Sequence, residues 1–224
     1  MANEADNPPF PVGHANADVA IQAAWAQQQA EHAHMAAAAT SSNGMPFVLQ
    51  QQAMIPSLTV TSLIIPEGKT PDGLLVESTS AIWNGIAKIL GDDWSLAYQI
   101  PPERWEEIVA GAFKNDGYDE VILTPRSHDH GRDVIAIKRG MGCVKVLGSV
   151  KAYAPDHLVP YDAVRALMGV IASERDTSKG IITTTSDFPP LIEKDPLIAP
   201  LLPTRIELVN GIKLQQWLRD LSKR

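Results

Sequence analysis

The stretch from Gly117 to Ala136 restricts the fold of this chain more than any other segment. The apolar run Val121-Ile122-Leu123 is followed by a polar turn through Arg132, and then Asp133 opens a second apolar run, Val134-Ile135-Ala136. Short β-branched runs separated by turn residues read as paired strands. A third run, Val144-Lys145-Val146-Leu147-Gly148-Ser149-Val150, ends at Lys151. Side chains alternate along a strand, so Asp133, Ile135 and Ile137 share one face. Ser149 and Lys151 share a face of their own strand, and Val144, Val146 and Val150 share the opposite one. If these two strands pair through the turn Arg139-Gly140-Met141-Gly142, Asp133 and Lys151 converge at one end of the sheet. By itself the convergence has two readings, a cross-strand salt bridge or the acid and cation of a chemical site.

The 224 residues are 45% apolar and 20% charged, which is enough for one compact domain with an appendage. The single Cys143 cannot form an internal disulfide and, in an apolar strand, is expected as a small core residue. No run reaches the length of a membrane span and no basic-then-apolar leader opens the chain, so no membrane association and a cytoplasmic location are expected. The net charge of −7 is uneven. Residues 1–100 carry two basic groups, Lys69 and Lys88, against nine acids, whereas residues 101–224 carry 17 of each sign. A neutral C-terminal part gains little from counterion release, so charge alone does not point to nucleic acid.

Residues 1–14 are rich in Pro, Asn and Gly and are expected to be disordered. Residues 15–100 are expected as a helical and β appendage for oligomerisation or partner binding. It holds an Ala/Gln helix to about Ala39, a β run from Ser57 to Ile65 stopped by Pro66 and Gly68, the turn Thr70-Pro71-Asp72-Gly73, and a helix from Ser78 to Leu90. His32 and His34 lack partners at ligand spacing and read as solvated. Gly68-Lys69-Thr70 is not a phosphate loop, because Leu63 stands where the first glycine is needed. Pro101 and Pro102 mark a boundary. Beyond it, Trp105, Ile108, Val109, Ala112 and Phe113 line one face of a helix over 102–114, with Glu106 at the edge of that face and Glu107 turned to solvent. The rest reads as strands near 119–124, 132–138 and 143–151, then helix, strand, helix, strand and closing helix. The predicted fold is α/β, a mixed sheet flanked by helices.

Hydrolysing a phosphodiester takes more than acid–base help, which contributes about 10²- to 10⁴-fold. A divalent cation adds charge neutralisation and a more acidic bound water. Mg²⁺ prefers hard oxygens, and Asp133 and Glu106 would serve. Lys151 would then orient the attacking water or stabilise developing charge.

Six features fall in a fixed order: Trp105-Glu106, Gly117-Tyr118, the run Ser127-His128-Asp129-His130-Gly131-Arg132-Asp133, Lys151-Ala152-Tyr153, Gly180 to Thr184 with Phe188, and Asn210-Gly211 with Leu214. This set resembles the Mrr-type restriction endonuclease family, a branch of the PD-(D/E)xK nucleases, over residues 101–221. The resemblance implies a restriction-endonuclease-like nuclease domain at 101–224 and DNA cleavage with Mg²⁺, or Mn²⁺ in its place, at Asp133, Lys151, Glu106 and Ser149. The metal would lie against Asp133, Glu106 and the Val150 carbonyl. One departure stands out: two residues before the lysine the family has Glu or Gln, and this chain has Ser149. A hydroxyl is a weaker ligand than a carboxylate.

His128, His130, Arg132 and Asp129 are the expected DNA contacts, with Asp129 reading equally as a turn cap. No second Cys or His pair makes zinc of the His-x-His spacing. The expected function is a metal-dependent DNA endonuclease in restriction or anti-phage defence, as a dimer or higher homo-oligomer and as a candidate partner subunit of a defence system. The alternative is a nuclease-like module, impaired in catalysis, that binds DNA or a partner protein within a defence complex.

Overall fold

The computed structural model describes residues 62–125 and 131–224. Seven strands form one mixed sheet in sequence order. They are β1 (Ile64–Thr70), β2 (Gly73–Thr79), β3 (Glu120–Leu123), β4 (Val134–Gly140), β5 (Gly142–Lys151), β6 (Lys179–Thr184) and β7 (Ile206–Val209). Neighbours from β1 to β5 are antiparallel, and β5, β6 and β7 run parallel. Among the described residues the four α-helices are α1 (Ala81–Asp92), α2 (Pro102–Asn115), α3 (Tyr161–Ser173) and α4 (Gly211–Leu221). None of the described helices is long and apolar enough to cross a membrane.

Alternation along the strands sorts the core into two layers, as the period of a strand requires. Val121, Val134, Ala136 and Val146 meet α1, α2 and α4 through Trp83, Trp105, Phe113, Leu214 and Leu218. Their sequence neighbours Ile122, Ile135 and Leu147 meet α3 through Val164, Leu167 and Ile171. The two fully buried indoles are also satisfied as donors, Trp83 Nε1 to the Ile108 carbonyl at 3.0 Å and Trp105 Nε1 to the Ala97 carbonyl at 3.2 Å. Gly111 allows that approach, since a Cβ there would lie 2.3 Å from Trp83 Nε1.

Several expectations change. β1 does not stop at Pro66 and Gly68 but runs through them, with register shifts on either side of Pro66. An edge strand tolerates this because one row of its N–H groups has no ladder partner to lose. The segment expected to start a helix at Ser78 is still strand β2 up to Thr79, and α1 begins at Ala81. Residues 62–100 are therefore not an appendage. They supply two strands and a helix to the sheet and core that continue through 224, and they fall in the same compact unit. The hairpin explains Glu107 too, which is largely buried rather than turned to solvent. Its carboxylate accepts the Leu63 N–H at 2.8 Å and pairs with Arg104. Cys143 is exposed instead of buried, because the β4–β5 hairpin projects past the helices and ends at the solvent-exposed Met141. Between β6 and β7 the chain makes only two short 3-10 turns, Ile192–Lys194 and Ala199–Leu201, where a helix was expected. The readings for residues 1–61 lie outside the described residues.

Candidate active site at the β4–β5 strand end

The antiparallel ladder between β4 and β5 ends at the pair Val134–Gly148. β5 continues to Lys151, and there its ladder pairing is with β6 alone, through Ser149–Ile182, Val150–Thr183 and Lys151–Thr184. The edge left by β4 is taken up by Asp133. Its N–H donates to the Gly148 carbonyl at 2.8 Å, and its Oδ2 accepts the Val150 N–H at 2.6 Å. A charge-assisted hydrogen bond of this kind fixes both partners. Asp133 is 9% exposed, so its carboxylate is held at a defined spot with little water around it. The Thr124 N–H donates to the Asp133 carbonyl at 3.0 Å and ties the residue to the end of β3.

Lys151 follows Val150 directly, so the structure brings Asp133 and Lys151 to one strand end. The cross-strand salt bridge that the sequence left open does not form. Among the described residues the Lys151 ammonium makes neither an ion pair nor a hydrogen bond. Ser149 is 2% exposed and lies one residue past the last β4–β5 ladder pair, level with Asp133. Glu106 lies half-buried in the first half of α2, the helix that covers the Trp105 side of the sheet. Among the described residues no group of three or more His, Cys, Asp or Glu gathers as a preformed metal cage.

The backbone that carries Lys151 is clipped to β6 by residues that sequence reasoning did not select. Thr184 Oγ1 donates to the Lys151 carbonyl at 2.8 Å, and the Thr185 N–H donates to the same oxygen at 3.2 Å. Thr185 Oγ1 also donates to the Tyr153 carbonyl at 2.6 Å and accepts the Tyr153 N–H at 2.8 Å. Trp94 Nε1 closes this corner on the Thr185 carbonyl at 3.2 Å. The signal was the unbroken hydroxyl run Thr183-Thr184-Thr185-Ser186 after an apolar strand, all of it buried. Buried hydroxyls need partners, and here they take main-chain ones.

Of the expected DNA contacts, His128, Asp129 and His130 lie outside the described residues. Arg132 does not fit that role. Its guanidinium Nη2 donates to Asp72 Oδ1 at 3.0 Å, its Nη1 pairs with Glu174, and its side chain is only 12% exposed. Glu174 in turn pairs with Lys145, whose hydrogen bond holds Asp176 below the ordinary carboxylate range. The guanidinium is spent on protein contacts, which the β1–β2 turn made possible and the sequence did not disclose.

A protein-family model described as a restriction endonuclease, of the Mrr catalytic type, matches residues 97–218. A search of curated proteins finds no match. Among solved structures, the MspJI restriction endonuclease in complex with a 27-mer oligonucleotide is 20% identical over 62% of this chain and 30% of that one, with a TM-score of 0.39. The DNA modification-dependent restriction endonuclease AspBHI is 17% identical over 71% of this chain and 39% of that one, with a TM-score of 0.45. The chain thus spans well under half the length of either protein.

Proposed function

Because the chain belongs to the restriction endonuclease family of the Mrr catalytic type, we propose that it hydrolyses DNA phosphodiester bonds at the β4–β5 strand end with the help of a divalent metal ion. The observation that carries the reading is the buried Asp133 carboxylate, locked onto the N–H of Val150, the residue before Lys151. The donors suit a hard cation: a buried carboxylate, a main-chain carbonyl and a hydroxyl, with no thiolate or imidazole among the described residues of the site. Asp133, Glu106 and the Val150 carbonyl would hold Mg²⁺, with Mn²⁺ as a substitute and water and phosphate oxygens completing the shell.

When bound, such an ion neutralises charge on the phosphate and makes its water more acidic. The chain's own groups do the rest. Asp133 is fixed before substrate arrives, so little reorganisation is needed. Lys151, on a backbone clipped by Thr184 and Thr185, presents a compact cation to the charge that develops on the phosphate oxygens. Ser149, where a carboxylate or amide would be stronger, offers only a hydroxyl, so this chain's own groups would hold a metal weakly and phosphate oxygens would have to complete its shell. Cutting both strands of a duplex calls for two such sites and hence a homodimer or larger assembly. Restriction of incoming DNA, in the cytoplasm and alongside a partner subunit of a defence system, is the setting that suits this activity.

Ser149 also favours a second reading, a nuclease-like module that binds DNA or a partner protein and does not cut. The two separate on supercoiled plasmid with Mg²⁺ or Mn²⁺. Nicking by the wild type that disappears in Lys151→Ala is the expected result. Equal DNA binding by both proteins with no nicking by either would leave the binding module instead.

A further inference from the structure

Two contacts behind Asp133 come from an element that lies outside the family match at 97–218. The β1–β2 turn ends at Gly73, whose φ of 149° suits glycine, and a Cβ there would lie 2.2 Å from the Leu123 carbonyl oxygen. The turn is therefore pressed against the end of β3. The next residue of β3's exit, Thr124, donates its hydroxyl to the Arg132 carbonyl and its N–H to the Asp133 carbonyl. From the other side Asp72 of the same turn pairs with the Arg132 guanidinium at 3.0 Å, while Glu174, just past α3, takes its second edge.

We propose that the β1–β2 turn is a positioning element for Asp133, with the Asp72–Arg132 ion pair as its working contact. Arg132 is the residue before Asp133, and its side chain is 12% exposed, so a shift of the guanidinium must be passed to the backbone that aims the carboxylate at Val150. The Arg132 Nε is buried without a hydrogen-bond partner among the described residues. Among the described residues the guanidinium is paired with Asp72 and Glu174, and losing one leaves a mostly buried cation less well compensated. Asp72 is 49% exposed, so for fold stability this pair is worth little, while for the direction of Asp133 it is the outer of the two ion pairs that hold the neighbouring Arg132 guanidinium. The inference rests on Asp133 being the metal-binding carboxylate, and it gives the N-terminal hairpin a route to the site.

The test reads the Val150 amide, because its hydrogen bond to Asp133 Oδ2 reports the carboxylate's position whether or not the protein cuts DNA. In the full chain, Asp72→Asn should speed hydrogen exchange at Val150 by about tenfold and leave Val146, deep in β5, unchanged. Asp72→Glu, which keeps the charge, should restore wild-type exchange. In the plasmid assay Asp72→Asn should lower the nicking rate at saturating DNA with the DNA half-saturation point unchanged. Unchanged exchange at Val150 in Asp72→Asn overturns the proposal, as does equal acceleration at Val146, which would mean general loosening. A wild type that never nicks while Val150 still responds to Asp72→Asn would overturn the nuclease reading and leave the positioning role standing.

Discussion

A carboxylate that is nine-tenths buried and bonded to a strand N–H is costly to place, and the lysine at the same strand end takes no ion-pair partner among the described residues. That combination makes sense when a third charged group completes the site. At this scale the meeting of Asp133 and Lys151 at one strand end was legible because strand alternation and the position of a polar residue at each strand end are written in the sequence. The Val150 N–H contact was not, since it depends on where the β4–β5 ladder stops, and Arg132 was misread because its partner Asp72 is sixty positions away. Lys151→Ala should cost about 10²- to 10³-fold in nicking rate with little change in DNA binding, measured by plasmid conversion and by fluorescence anisotropy. Ser149→Glu should move the Mg²⁺ half-saturation point down by on the order of tenfold, read by titrating the metal in the same assay.

At the scale of elements, α2, β3 to β7, α3 and α4 lie close to where periodicity puts them. α4 begins at Gly211 after an Asn210 side chain that caps it by accepting the Lys213 N–H at 3.1 Å. Apart from the helix expected between β6 and β7, the misread elements gather in 62–79, where Pro66 and Gly68 imitate the end of a strand. Their effect is local because β1 is an edge, a fact that only the full strand order supplies. The clip on β5 was missed for a similar reason, since Thr184 and Thr185 look like ordinary strand residues until β6 is laid parallel to β5. Close packing of α1 on α2 predicts that Gly111→Ala lowers the thermal midpoint, because the new methyl would press on the Trp83 indole. Trp105→Ala should cost about 3–5 kcal/mol of stability in chemical denaturation, the usual range for emptying a buried aromatic site.

For the whole molecule, the boundary suggested by Pro101-Pro102 is not a boundary of the fold. Composition changes there, and the charge imbalance ends there, yet β1, β2 and α1 cover the same apolar layer as α2 and α4. A protein cut to residues 101–224 loses the strand beside β3 and the indole of Trp83 against Ile108, leaving a large apolar face in water. It should show no cooperative thermal transition by calorimetry, whereas residues 62–224 should unfold in one. The hairpin is thus part of the body that aims Asp133, even though the family match begins only at residue 97.

The most direct measurement is diffraction from crystals soaked in Mn²⁺, with data at the manganese absorption edge. The account predicts an anomalous peak about 2.2 Å from an Asp133 carboxylate oxygen and close to the Val150 carbonyl, with the Lys151 ammonium facing the same cavity. A peak bound elsewhere, or an Asp133 carboxylate with no ion against it at saturating metal, would contradict it.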